Sequence, residues 1–184
     1  GVGKGRVIAA MLRWSKFHGK NAVFVTQTPV LYADMIRDLN DIGENVGELK
    51  ILPTDNSLSI DVSDVPDFGV FKTPNKQKHE EEIDRLIERG DMDDYDFVFT
   101  TYSQMQRPDG VESARHNLLN TIAENSIFIL DESHSGGGQG SQSGVSLDNV
   151  GMTRAAFLRD LLRSAQGVMY SSATWAKHPK VMDL

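Results

Sequence analysis

The first six residues, GVGKGR, contain the residue types that can bind a phosphate group. Glycines such as Gly1, Gly3 and Gly5 let a backbone wrap closely around phosphate oxygens and direct its N–H groups at them. Lys4 can reach the β- and γ-phosphates, and the helical pattern that follows would point its N-terminus at the anion. Taken alone, these six residues fit a plain glycine-rich turn equally well.

Gly5 departs from the usual form of such a loop. The general pattern ends in Gly-Lys-Ser/Thr, and the Ser/Thr hydroxyl binds magnesium. Gly5 stands in that position and has no hydroxyl, so we expect a water molecule to make the missing metal contact.

A second chemical group lies in FILDESH, residues 128–134, where an apolar run ends in two carboxylates. A magnesium–nucleotide site needs one carboxylate, here Asp131, to hold the metal, and a second, Glu132, to orient the water that attacks the γ-phosphate. Ser133 and His134 would then face the rim and respond to the nucleotide state. An ordinary acidic strand end is the alternative, but a lysine loop in the same chain favours the nucleotide site.

Five apolar runs alternate with helix-like stretches, which predicts an α/β domain with a doubly wound, mainly parallel sheet. The runs are 22–26, 50–53, 96–102, 126–132 and 167–173. The helical stretches are 6–17, 30–42, 76–90, 112–125 and 153–167, the third ending at Gly90 as a C-terminal cap. Four strands release polar residues at their carboxyl ends, where ligands of such sheets bind. We therefore expect the two motifs to meet at one edge of the sheet.

Two segments do not fit this alternation. Residues 55–75 are rich in Asp and Ser and predict an insertion or surface excursion. Residues 136–149 are rich in Gly and Ser and predict a flexible loop, either a plain linker or a mobile loop at the edge of the site. Elsewhere, we expect Trp14 to pack on a helix face and His79–Glu82 to form a solvated helix face.

Composition limits the possible functions. The 184 residues suffice for one domain with a sizeable core, and the net charge of −7 gives no general attraction to nucleic acid, although a local groove stays possible. The chain has no cysteine, which excludes disulfides and thiolate metal sites. No apolar run approaches the ~20 residues that span a membrane, so we expect no membrane partner and a cytoplasmic location.

The motifs GxGKGR, LDESH and SSAT, in this order, resemble motifs I, II and III of superfamily 2 helicases and translocases. The GKGR form of the loop, with VTQTP and SSATWAKHP, is most similar to the strawberry-notch-like helicase family. The resemblance runs from residue 1 to about Pro179 and implies the first RecA-like, ATP-binding lobe of such a protein. It implies ATP and Mg²⁺ as cofactors, nucleic acid (DNA in preference to RNA) as a partner, and a second RecA-like lobe of the same parent.

The resemblance also implies what the 184 residues leave out. The strand before motif I and the second lobe, which supplies arginine fingers, have no counterpart in this sequence. We therefore expect a single-domain fragment, residues 1–184, of a larger ATP hydrolase. On its own it should bind nucleotide weakly and hydrolyse it slowly or not at all.

Site residues follow from the resemblance motif by motif. The nucleotide would be bound by Gly1, Gly3, Lys4, Gly5 and Arg6, with Lys4 on the β- and γ-phosphates. Asp131 would bind magnesium and Glu132 would be the catalytic base. Hydrolysis would be coupled to strand movement by His134, Ser172, Ala173 and Thr174. Nucleic acid would be contacted by Thr26, Thr28, Pro29 and Thr101.

Each of these assignments has a simpler alternative. Thr28-Pro29 also suits a helix start, Ser172 and Thr174 also suit strand-end caps, and Arg6 also suits a solvated helix start. The predicted function also has alternatives. An ATPase that remodels or regulates protein partners is favoured by the negative charge, whereas the motif Ia and motif III patterns favour a nucleic-acid motor. A nucleotide-binding scaffold without catalysis is disfavoured by the intact pair of carboxylates.

Overall fold

The computed structural model describes residues 2–106, 113–131 and 145–171, and side chains within 3–106, 113–131 and 154–171. The strands are β1 (Asn21–Thr26), β2 (Ile51–Pro53), β3 (Ser59–Val62), β4 (Gly69–Lys72), β5 (Phe97–Thr101), β6 (Ser126–Asp131) and β7 (Gly167–Ser171). The α-helices are α1 (Val2–Phe17), α2 (Val30–Asp41), α3 (Lys76–Arg89), α4 (Ala114–Ile122) and α5 (Val145–Ser164). Each predicted strand and helix therefore has a counterpart.

Five strands form a parallel sheet in the order β2-β5-β1-β6-β7. In the central strand β1, Thr26 lies opposite Thr101 of β5, and Val25 lies opposite Leu130 of β6. At the next interface Asp131 lies opposite Ser171. All five carboxyl ends therefore reach the same edge of the sheet, and the predicted α/β fold with a mainly parallel sheet is confirmed.

Helices cover both faces of the sheet, which explains why the strand sequences are apolar without interruption. Ala22 and Phe24 of β1 point to a core that contains residues of α1 and α2, such as Leu12 and Ile36. Val23 and Val25 alternate with them and point to the opposite core, formed with α3, α4 and α5. These two layers hold the strand ends, and thus the residues that follow them, in fixed positions.

Two helices begin earlier than the sequence predicts. Helix α1 begins at Val2, so the predicted loop residues Gly3 and Gly5 lie in its first turns. Glycine disfavours a helix by only about 1 kcal/mol, and the packing of α1 against α2 outweighs that cost. Helix α5 begins at Val145 and so includes residues 145–149 of the predicted flexible loop. The remainder of that loop, 136–144, lies outside the described residues.

The predicted excursion at 55–75 contains an antiparallel hairpin, β3–β4. The hairpin is attached to α2 by the guanidinium of Arg37, which donates to both carboxylate oxygens of Asp64 at 2.8 and 3.1 Å. Near the start of the segment, the Tyr32 hydroxyl donates to Asp55 at 2.7 Å. The insertion therefore packs on the α1–α2 side of the sheet.

Two side chains lie in surroundings that the sequence did not predict. His79 is 1% exposed, and its Nε2 lies 2.8 Å from the carbonyl oxygen of Pro53, so it is not part of a solvated face. Trp14 is 47% exposed and stacks on His18. Among the described helices, none combines the length and apolarity that a membrane crossing requires.

Candidate functional site

Lys4 and Asp131, 127 positions apart in the sequence, meet at the carboxyl edge of the sheet. Lys4 lies in the first turn of α1 and Asp131 is the last residue of β6. The ammonium nitrogen lies 3.0 Å from Oδ1 of Asp131, and the side chains are 22% and 13% exposed. The lysine of the first motif and the metal-binding carboxylate predicted for the second thus form one largely buried ion pair.

Neighbouring strands hold the Asp131 carboxylate in place. The hydroxyl of Thr26, at the end of β1, donates to Oδ2 at 3.1 Å. The hydroxyl of Tyr102 donates to the backbone oxygen of Asp131 at 2.8 Å. Oδ1 is enclosed and has no hydrogen-bond partner among the described residues, so its contact with Lys4 is an ion pair without hydrogen-bond geometry. Oδ2 is therefore held in place by a hydrogen bond, whereas Oδ1 is placed to contact a cation.

A cleft of about 390 Å³ opens above this ion pair, between α1, α2 and the edge of the sheet. Its polar lining comes from Lys4, Gly5, Gln27, Asp34, Asp38 and Asp131. Ile8, Phe24, Leu31 and Met35 supply apolar walls. The cleft combines the amino end of a helix, a lysine and carboxylates, which are the groups that bind phosphate together with a divalent cation.

Asp38 of α2 packs directly against Gly5. A Cβ atom at Gly5 would lie 2.1 Å from Oδ2 of Asp38, so no residue with a side chain fits there while Asp38 keeps its position. Burial raises the pKa of Asp38, with a further upward contribution from Asp41 and Asp34 and a downward one from Arg6. The charged form of this half-buried carboxylate is therefore costly.

The described residues fit a magnesium–nucleotide site better than a metal site made by protein alone. Among them, no group of three or more His, Asp or Glu side chains is placed to hold a metal ion. Mg²⁺ is usually bound through one or two carboxylates together with substrate phosphates and water. The enclosed Oδ1 of Asp131 can serve as such a carboxylate oxygen once Lys4 moves to a phosphate.

The residues predicted to contact nucleic acid differ from one another in their exposure to solvent. Thr26 is 0% and Thr101 is 1% exposed, and the Thr101 hydroxyl lies 3.0 Å from that of Ser103. Neither side chain is open to a polymer in this arrangement, because both are enclosed beneath the edge of the sheet. Thr28 is exposed, and it and Pro29 accept the first backbone hydrogen bonds of α2, which confirms the helix-start interpretation. Contacts of Thr26, Thr28, Pro29 and Thr101 with nucleic acid stay predictions.

The other predicted residues divide into two groups. The Arg6 guanidinium is 54% exposed and lies 3.6 Å from Asp41, as expected of a solvated helix start. The residues Gly1, Glu132, His134, Ser172, Ala173 and Thr174 lie outside the described residues. Their assigned roles stay predictions.

Three contributors to the site were not identified by sequence reasoning. Thr26 was assigned to nucleic acid, although its hydroxyl positions Asp131, and this role depends on the adjacency of β1 and β6. Tyr102 likewise depends on strand order. Asp38 had a signal in the sequence, because Asp34, Asp38 and Asp41 recur at helical spacing and so share one stripe of α2.

The comparison with known families agrees with this geometry. No curated protein matches the chain. The model of a family described as P-loop containing NTP hydrolase pore-1 matches residues 1–184, which is the whole chain. Together with the parallel sheet, this match confirms an α/β, RecA-like P-loop NTPase fold and a protein that binds and hydrolyses nucleotide. The chain belongs to the P-loop containing NTP hydrolase pore-1 family.

Proposed function

We propose that the chain is the ATP-binding and ATP-hydrolysing motor lobe of a superfamily 2 helicase or translocase that acts on nucleic acid. The observation that carries the nucleotide part is the 3.0 Å ion pair between Lys4 and Asp131 beneath the cleft. It supports the proposal because Lys4, the proposed phosphate-binding lysine, and Asp131, the proposed metal-binding carboxylate, meet at the edge of the sheet where nucleotides bind in such folds.

The ion pair indicates how binding begins. When nucleotide enters, Lys4 exchanges Asp131 for the β- and γ-phosphate oxygens, and the N–H groups of the first turn of α1 face the same anion. This exchange releases Oδ1 of Asp131, while Thr26 keeps Oδ2 in place. Bound Mg²⁺ supplies charge neutralisation on the phosphates. Glu132 orients the attacking water.

The nucleic-acid part of the proposal is supported by the motif pattern. VTQTP and SSAT resemble motifs Ia and III of superfamily 2 motors, and Thr28 in the former is exposed at the carboxyl edge of the sheet. A second candidate function is an ATPase that remodels or regulates protein partners. The net charge of −7 favours that alternative, since a non-specific nucleic-acid binder usually presents a basic face.

ATP hydrolysis by the protein that carries this chain separates the two candidates. It should be measured without nucleic acid and with single- and double-stranded DNA and RNA. We expect strong stimulation by at least one of them, with DNA ahead of RNA. Hydrolysis that is indifferent to every nucleic acid would contradict the motor and favour the partner-remodelling ATPase.

A matched pair of variants tests the catalytic assignment in the same assay. Glu132→Gln should retain nucleotide binding and stop turnover, because the amide cannot accept a proton from water. Glu124→Gln, a change of the same kind in the turn before β6, should leave turnover unchanged. Normal hydrolysis by Glu132→Gln would show that the second motif has been assigned wrongly.

A further inference from the structure

We propose that Asp38, on α2, supplies the metal-facing oxygen that Gly5 lacks. The inference rests on the proposed nucleotide site and replaces the expectation that water fills this position. It makes Asp38 a metal-binding residue contributed by a different element of the fold from the phosphate loop.

Gly5 stands where a phosphate loop usually has a residue with a hydroxyl group. In the general phosphate loop the residue after the lysine is Ser or Thr, and its hydroxyl oxygen, one bond beyond Cβ, contacts magnesium. A Cβ at Gly5 would lie 2.1 Å from Oδ2, 2.9 Å from Cγ and 3.3 Å from Oδ1 of Asp38. The Asp38 carboxylate therefore occupies the space in which a serine or threonine side chain would stand.

Asp38 and Asp131 also line the same cleft as Lys4. Within the described part of the chain, the Oδ1 atom of Asp131 is enclosed without a hydrogen bond, so this second oxygen is also suited to a cation. Two carboxylates together with phosphate oxygens and water form a usual set of ligands for Mg²⁺.

The neighbouring acidic residues of α2 each pair with an arginine, although Asp34 also lines the cleft. Asp34 is 57% exposed and pairs with Arg37 at 3.0 Å. Asp41 pairs with Arg6 at 3.6 Å. Asp38 is the carboxylate of this stripe that combines a position in the cleft with close packing on the phosphate loop.

The close packing allows a test by exchange of side chains. Asp38→Ala should weaken metal binding because it removes the oxygen, and Gly5→Ser should weaken it because the new side chain collides with Asp38. The double variant Gly5→Ser/Asp38→Ala should restore binding. The serine hydroxyl then has enough space and can contact the metal in place of the Asp38 carboxylate. Asp38→Asn keeps the size of the side chain and one oxygen but removes the charge, so it should weaken metal binding less than Asp38→Ala does. Asp41→Ala, which removes a carboxylate of the same helix outside the cleft, is the matched control.

Metal binding should be measured with Mn²⁺ as the probe, by electron paramagnetic resonance in the presence of a non-hydrolysable ATP analogue. We expect Asp38→Ala and Gly5→Ser each to weaken Mn²⁺ binding by about tenfold or more, the size seen when support for a metal site is lost, and Asp38→Asn to weaken it less. The double variant and Asp41→Ala should bind Mn²⁺ nearly as the wild type does. Circular dichroism establishes that each variant is folded.

The outcomes separate this inference from the proposed function. If the wild type binds the analogue and Mn²⁺ but the two Asp38 variants bind Mn²⁺ equally well, the role of Asp38 is overturned and the nucleotide site stands. A Gly5→Ser variant with wild-type affinity, or a double variant no better than Asp38→Ala, would also overturn it. If the wild type does not bind nucleotide, or if Lys4→Ala binds it as well as the wild type does, the proposed site itself fails and the inference fails with it.

Discussion

The two oxygens of the Asp131 carboxylate have different partners and therefore different functions in the site. Oδ2 accepts a hydrogen bond from Thr26, whereas Oδ1 faces the ammonium group of Lys4. The first contact fixes the orientation of the carboxylate, and the second can be exchanged for a ligand. Two substitutions can therefore separate positioning from binding.

Lys4→Ala is expected to weaken the binding of Mg²⁺–ATP by roughly 10- to 100-fold, because a hydrogen bond to a charged group contributes about 1.5–3 kcal/mol. Binding of a fluorescent ATP analogue measures the effect. Lys16→Ala is the control, since Lys16 lies at the other end of α1 and contacts Glu44 and Asp96. If Lys4→Ala and Lys16→Ala lost the same affinity for ATP, the total positive charge of the protein, and not the position of Lys4, would govern binding.

Thr26→Val is expected to lower the free energy of unfolding by about 1–3 kcal/mol, since it leaves a buried acceptor without its donor. It should also weaken Mg²⁺-dependent nucleotide binding, because Asp131 loses its fixed orientation. Thr26→Ser keeps the hydroxyl and should retain more of both properties. Urea denaturation and titration with nucleotide measure the two effects. A Thr26→Val protein with unchanged metal dependence would leave Thr26 with a purely structural role.

Asp38 is expected to make stability depend on pH in the acidic range. Burial raises the pKa of Asp38 above its ordinary value of 3.8. Between that value and the higher folded-state pKa, the folded protein binds more protons than the unfolded chain. The contribution of Asp38 to the free energy of unfolding therefore falls as the pH rises through this window.

Asp38→Asn should consequently be more stable than the wild type at pH 7, and the advantage should shrink as the pH falls to 3.8 and below. Urea denaturation of both proteins across this range provides the measurement. Asp34→Asn, a change of the same kind at a more exposed position paired with Arg37, serves for comparison. An advantage that is constant with pH would show that the charge of Asp38 is not its source.

The sequence predicted the residues with distinctive chemistry and missed those whose role comes from their neighbours. Lys4 and Asp131 belong to motifs with a chemical rationale, and the structure brings them together. Thr26 and Tyr102 are ordinary in composition, and their contacts with Asp131 follow from the strand order β5-β1-β6. That order is not visible in the sequence, because many pairings of parallel strands give the same alternation of elements.

At the scale of elements, strand positions were predictable to within a residue or two because both faces of the sheet are buried. The residues at which the helices start were less predictable from the sequence. The predicted start of α1 was placed after the glycines, whereas packing against α2 extends the helix back to Val2. His79 was misassigned for a related reason. It stands in a charged run, but it lies on the face of α3 that is turned toward β2.

The end of α3 supports a prediction of its own. Gly90 adopts a left-handed conformation with φ of 79°, and its N–H bonds to the carbonyl oxygens of Leu86 and Ile87. Gly90→Ala should lower the free energy of unfolding by about 1–2 kcal/mol, the cost of placing a Cβ atom in this conformation. Gly90→Asn should lower the free energy of unfolding by less, because asparagine tolerates the left-handed backbone conformation better than alanine does. Urea denaturation compares the two, and equal costs would contradict a backbone origin.

At the scale of the molecule, the site connects parts that are distant along the chain. Lys4 of α1, Asp38 of α2 and Asp131 of β6 line one cleft. Beneath it, Thr26 of β1 holds the Asp131 carboxylate. A ligand that binds there must favour the folded state, since the unfolded chain does not hold these residues together. The cleft also contains Asp34, so three carboxylates face one lysine among its lining residues. This balance of charge should repel free ATP and accept its magnesium complex.

Mg²⁺–ATP should therefore raise the free energy of unfolding by about 2.7 kcal/mol at a ligand concentration 100 times Kd. Without the metal, the same concentration of ATP should stabilise the protein much less, because the carboxylates of Asp38 and Asp131 are then uncompensated. Thermal unfolding with Mg²⁺–ATP, with ATP and EDTA, and with Mg²⁺ alone provides the comparison, and Lys4→Ala should respond weakly to Mg²⁺–ATP. Equal stabilisation by ATP with and without metal would show that the acidic residues of the cleft do not control binding. Stabilisation by Mg²⁺–ATP that persists undiminished in Lys4→Ala would place the nucleotide elsewhere on the molecule.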